Sequence, residues 1–204
     1  MQIVFLSWRN LFRNFRRTLA SLVTVGLGAA GLLIYQGFNN GIMNQYRANT
    51  IRGIYGYGQI FQTGYYGKVH EQPWQKWIEH PTSAAQALKE IPEIEEVYGR
   101  ISFYSFVVKG SINLAGKGDG VEFQKESTFF NQLNFVAGTG LTQSGEIILG
   151  KGLAESLNAK VGESVTILVQ TTNGQLNGQD FIVSGIFHTG LKAYDDVAFR
   201  IDLQ

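Results

Sequence analysis

The sequence predicts an α+β protein in two parts: one N-terminal transmembrane helix, then a mixed α/β, β-rich domain on the far side of the membrane. Three observations carry that prediction. Leu19 to Phe38 is a run of twenty residues without a charge. Residues 1–70 hold seven basic side chains and no Asp or Glu, whereas the remaining 134 hold ten basic and sixteen acidic, a balance of −6. From about residue 97 onward, β-branched and aromatic runs alternate with Gly- and Asn-containing turns.

The opening segment, residues 1–18, is amphipathic. Val4, Trp8, Leu11, Phe12 and Phe15 recur at helical spacing, and Arg9, Arg13, Arg16 and Arg17 gather on the neighbouring side. This predicts an interfacial helix on the cytoplasmic leaflet, its aromatic rings at headgroup depth and its four arginines drawn to anionic membrane lipid. The same arginines predict a cytoplasmic N-terminus. The transmembrane helix follows at residues 19–38, where twenty residues at about 1.5 Å each span about 30 Å of hydrocarbon. A cleaved signal peptide has an apolar core of only about 7 to 15 residues, so this run is too long for one. Gly26, Gly28 and Gly31, with Gly37 and Gly41 in a GxxxG spacing, are small enough to admit a partner helix, although glycine is also common in membrane helices generally. Asn39, Asn40, Asn44 and Gln45 mark the exit into water, and residues 39–54 are expected as a helix extension or linker.

The exported domain is expected over residues 55–204, in two subdomains of roughly 55–111 and 112–204. Tyr55 to Tyr66, rich in Gly and Tyr, reads as a strand leaving the membrane surface. A linker with Pro73, Trp74, Trp77 and Pro81 leads to a short helix capped by Thr82 or Ser83 and ended by Pro92. Val97 to Lys109 reads as a strand, making a β-α-β start. The second half predicts a strand at Glu146 to Leu149, a helix from Gly152 to Leu157, and strands at Ser164 to Gln170 and Phe181 to Phe187. Asn173-Gly174 favours a tight reversal between the last two.

The composition narrows the chemistry. A net charge of +1 excludes a generally basic nucleic-acid binder, and the absence of Cys excludes disulfides and thiolate metal sites. Gly145, Gly150 and Lys151 match part of a phosphate-binding loop. Gly152 nevertheless replaces the magnesium-holding Ser or Thr, and Glu146 to Leu149 reads as a strand where backbone amides would have to face phosphate. His70, His80 and His188 have no paired ligand spacing, and no serine lies in a G-x-S-x-G elbow. Asp195-Asp196 reads as a solvated turn. These observations predict no catalytic residues, no metal and no cofactor.

Four stretches in order resemble the FtsX/MacB-like permeases of ATP-binding-cassette (ABC) systems, in particular the lipoprotein-release type. They are SWRNLFRNFRRTLASLVTVGLGAAGLLI, GVEFQKES, EIILGKGLAESLNAKVGESVTIL and FIVSGIFHTGLKAYDDVAF. The resemblance implies an inner-membrane permease subunit with a MacB-like periplasmic core, represented here by about its N-terminal half. The chain is then a fragment, or its remaining three spans are separate. Gly150, Gly152, Leu153, Ala154 and Leu157 are implied to be fold positions. The stretch matching a chaperone-docking hairpin is Gln170 to Asp180, short and without apolar or proline residues at its tip.

The resemblance also implies partners: a cytoplasmic ABC ATPase, a second permease subunit in a homo- or heterodimer, a lipoprotein substrate, and a periplasmic chaperone or adaptor. Export of a peptide, toxin or antibiotic is the alternative within the family. A single-span envelope tether or sensor is the alternative outside it.

Overall fold

The structure is a computed structural model that describes residues 13–68, 73–171 and 174–203. It divides into two compact units, Met1–Arg47 and Ala48–Gln204. The expected interfacial residues Val4, Trp8, Arg9, Leu11 and Phe12 lie outside the described residues.

Helix α1, Phe15–Thr50, contains the whole predicted span and has no buried residue. It is long and apolar enough to cross a membrane. Two polar side chains in its apolar run satisfy themselves within the helix, as hydrocarbon requires. Ser21 Oγ donates to the Arg17 carbonyl at 3.1 Å and Thr24 Oγ1 to the Ala20 carbonyl at 2.9 Å. Residues 39–50 continue the same helix, which ends in a π-helical turn, Ile51–Tyr55.

Beyond it the chain forms short 3₁₀ turns at Tyr65–Gly67 and Pro73–Lys76, then helix α2, Pro81–Lys89. Among the described residues seven strands follow: β1 (Arg100–Lys109), β2 (Ile112–Val121), β3 (Asn134–Gly138), β4 (Glu146–Gly150), β5 (Ser164–Gln170), β6 (Leu176–His188) and β7 (Ala198–Asp202). Three short helices are interspersed: α3 (Phe123–Glu126), α4 (Lys151–Leu157) and α5 (Lys192–Asp195). The α+β class, one apolar helix followed by a mixed strand-rich domain, is as the sequence predicts.

The strand order is β3-β6-β4-β7-β2-β1-β5, and β5 pairs in turn with β6. Six strands therefore close into a ring, with β3 added on the edge of β6. Strand β6 serves both roles because it is long: Leu176 to Ile182 pair with β5, and Ile182 to Phe187 with β4. Val107, Ile147, Leu149, Val165, Ile167, Val183 and Phe199 point into the ring, where Leu153, Ala154 and Leu157 of α4 pack against them. Burial of these side chains from water is the main force holding the ring shut.

Several expectations are corrected. Tyr55–Tyr66 is not a strand, because Gly56 (φ 75°) and Gly64 (φ 84°) bend the chain out of the extended region; the β-α-β start is therefore absent. Helix α2 begins earlier than expected, with Pro81 at its first position and His80, in place of Thr82 or Ser83, as N-cap. Ser83 caps nothing and turns its hydroxyl back to the His80 carbonyl at 3.0 Å. Residue 111 lies in the turn of a hairpin whose strands β1 and β2 pair at ten positions. Asn173 lies outside the described residues; Gly174 sits in the reversal with φ 79°, its N–H donating to the Thr171 carbonyl at 2.9 Å.

Candidate functional site

A helix leaves its last carbonyls without internal partners. At the end of α1 the domain supplies them. The Arg52 carbonyl accepts from the Gln132 N–H at 3.4 Å, the Gly53 carbonyl from Arg200 Nη2, and the Ile54 carbonyl from Arg100 Nη1 at 2.6 Å. One turn earlier, Asn49 Nδ2 donates to the Thr189 carbonyl at 3.2 Å. All these residues belong to the unit that begins at Ala48.

The sheet register explains how both arginines reach one place. Ser102, Asp119 and Arg200 stand opposite one another on β1, β2 and β7, and Arg100 lies two residues from Ser102 on the same face. That face is the one turned away from the ring's interior. Arg100 forms a bidentate pair with Glu126, Nε to Oε1 and Nη2 to Oε2 both at 2.6 Å, and lies 3.8 Å from the centre of the Phe130 ring. Arg200, only 2% exposed, also donates to the Tyr194 hydroxyl at 3.4 Å. Tyr194 donates in turn to Asp119 Oδ2 at 3.2 Å, and Ser102 Oγ to Asp119 Oδ1 at 2.6 Å. Burial opposes the charge on Arg200, but Tyr194, Asp119 and Glu126 outweigh it and hold the guanidinium more firmly protonated than free arginine. Burial pushes the Tyr194 hydroxyl up, so it stays a neutral donor.

Asp195 corrects another expectation, since it is 3% exposed and not part of a solvated turn. It accepts from the Thr189 N–H at 3.0 Å, from Thr189 Oγ1 at 2.7 Å, and pairs with His188 Nδ1 at 2.8 Å. This fixes the loop whose Thr189 carbonyl receives Asn49. Asp196 is the solvated partner, paired with Lys192 at 2.8 Å.

The partial phosphate-loop pattern falls on β4 and the first turn of α4. A Cβ on Gly150 would run into the Asp195 carbonyl, and one on Gly152 into the Asp196 carboxylate. Both glycines therefore let α4 and α5 approach backbone to backbone. His80 and His188 serve separate elements, and His70 lies outside the described residues. Gly26, Gly28, Gly31, Gly37 and Gly41 lie on α1 with nothing within 4 Å of an added Cβ. Arg13, Arg16 and Arg17 are exposed, and Arg9 is outside the described residues. Leu176, 66% exposed, stands two residues beyond Gly174 at the β5–β6 tip.

Sequence reasoning missed Arg100, Arg200, Glu126, Asp119 and Tyr194. One signal was present: Arg200 is a lone cation between Phe199 and Ile201 in an apolar strand, and a charge in that position needs a partner.

A family model for the MacB-like periplasmic core domain matches residues 18–204. The chain belongs to that family. It is the family that the four sequence stretches indicated. Among curated proteins, the chain is 26% identical over 179 residues to the lipoprotein-releasing system transmembrane protein LolE of Haemophilus influenzae, covering 83% of this chain and 41% of that protein. The chain thus spans about two fifths of this relative's length. Similar solved structures include the extracellular domain of the noncanonic ABC-type transporter YknZ from Gram-positive bacteria, with TM-score 0.44, 16% identity and coverage of 60% of this chain and 62% of that one. The periplasmic region of MacB from Actinobacillus actinomycetemcomitans gives a TM-score of 0.42 at 16% identity, covering 59% of this chain and 54% of that one.

Proposed function

We propose that this chain is the N-terminal part of an ABC-transporter permease subunit that releases lipoproteins from the inner membrane, driven by a separate cytoplasmic ATPase. The observation that carries the reading is the family match over residues 18–204, which takes in the apolar helix as well as the domain. The lipoprotein substrate rests on the similarity to the lipoprotein-releasing system protein of H. influenzae. In this reading ATP is hydrolysed by a separate subunit; the partial phosphate-loop pattern of this chain forms a strand and a helix.

In this reading Arg9, Arg13, Arg16 and Arg17 hold the N-terminus at the cytoplasmic leaflet near the ATPase, and the main domain is periplasmic. Gly26, Gly28 and Gly31 form the helix contact with a second permease subunit, and Gly37 with Gly41 extends it. A periplasmic chaperone or adaptor accepts the released cargo. Replacing Gly26 and Gly31 together by Leu is expected to abolish transport; undiminished transport would remove those glycines from the contact.

The test is to purify the intact parent protein from membranes and ask whether an ABC ATPase co-purifies. If it does and its rate rises on adding lipoprotein, the reading holds. An ATPase indifferent to lipoprotein would point instead to peptide, toxin or antibiotic export. With no ATPase, a tether or sensor would be left.

A further inference from the structure

We propose that Arg100 and Arg200 are positioning residues that lock the end of α1 against rotation relative to the ring. A turn of residues 49–54 about the helix axis is then passed directly to the sheet. The consequence for transport rests on the permease reading; the rigidity of the joint does not.

Successive carbonyls of a helix are spread around its circumference in steps of about 100°, somewhat less in a wider π turn. Here the three carbonyls of residues 52, 53 and 54 are held by donors from three different places: the chain before β3, strand β7 and strand β1. Asn49 adds a fourth tie, to the loop after β6. Apolar contacts are non-directional and let a helix roll. Hydrogen bonds fail when their angle is lost, and those from a guanidinium are among the stronger ones.

Burying two guanidinium groups brings a desolvation cost that well-packed apolar side chains would avoid, so stability alone does not explain them. Position does. Each guanidinium carries several donors in a fixed plane, and each here joins the helix to the ring with one group. Arg100 grips the Ile54 carbonyl while Glu126 fixes its other edge. Arg200 grips the Gly53 carbonyl and is referred through Tyr194 to Asp119.

The experiment uses the intact subunit with its ATPase in lipid nanodiscs, comparing the native protein with Arg100→Lys, Arg200→Lys and the milder Asn49→Ala. Amide hydrogen exchange is followed at residues 53–56 and, as reference, in β4 and β6. In the lysine variants the joint amides are expected to exchange about tenfold faster, the reference strands being unchanged, because charge is kept while directional bonds are lost. Lipoprotein released per ATP hydrolysed is expected to fall about tenfold with ATP turnover preserved. Unchanged exchange in either Arg100→Lys or Arg200→Lys would overturn the proposal, and faster exchange in Asn49→Ala alone would place the lock at Asn49 and not at the arginines. Faster exchange with release per ATP unchanged would also overturn it, leaving the arginines a structural role only. If the native complex releases no lipoprotein, the permease reading fails, and faster exchange in the variants still upholds the joint.

Discussion

Asp195 carries more of the loop after β6 than its position in a polar run suggests. Its two oxygens satisfy the Thr189 N–H and hydroxyl inside the protein, where water cannot replace them. Asp195→Ala is expected to cost about 1 to 3 kcal/mol in chemical denaturation, the usual penalty for stranding buried donors. Gly150 and Gly152 act by having no side chain. Gly152→Ala would push a methyl into the Asp196 side chain, and Gly150→Ala into the backbone of Asp195, which cannot move aside. The Gly150 substitution is therefore expected to be the more damaging, by about 1 to 3 kcal/mol of unfolding free energy. Glu146 gives a pH test. Burial raises its carboxyl pKa, but bonds from Thr142 and Gln143 outweigh that and hold it below the usual range. A depressed folded value means the stabilisation is present above the unfolded pKa and is lost as pH falls through the folded one. Glu146→Gln should thus lower the melting temperature at neutral pH and make no difference in strong acid.

Among the elements, β2 shows why patterning fails. Its sequence INLAGKGDGV has three glycines, which strands disfavour, and sequence reading passes over it. Those glycines make room for rings. A Cβ on Gly118 would lie 2.6 Å from Phe103 and 2.5 Å from Phe199, two core rings packed edge to face with centroids 5.7 Å apart. Gly118→Ala is expected to force these rings off their rotamers and cost about 1 to 3 kcal/mol, read as a fall in denaturation midpoint with unchanged slope. Strand β5 was legible because its alternation is clean, with Val165 and Ile167 inward and Thr166 outward. Strand β3, exposed at all five positions, offers no burial pattern to read.

At the scale of the molecule, the unit from Ala48 onward includes the last turn of the long apolar helix. A chain beginning at Ala48 should therefore fold as a soluble domain. One beginning at Tyr57 would leave Arg100 and Arg200 without their carbonyl partners, and it should be less stable by about 2 kcal/mol or more, measured as the difference in urea unfolding free energy. Equal stability of the two chains would mean that water replaces the helix end without cost.

What the sequence by itself determined is what depends on neighbours along the chain. The twenty uncharged residues, the basic start and the acid-free first third need only length and charge to be read, and four contiguous stretches sufficed for the family. The ring closure, the burial of Asp195 and the meeting of Arg100 with Arg200 were decided only by tertiary structure. Each joins residues far apart in sequence, such as Arg200 and Gly53 at a separation of 147. Periodicity reports which face of an element is apolar; it carries no information about which distant element will cover a charge.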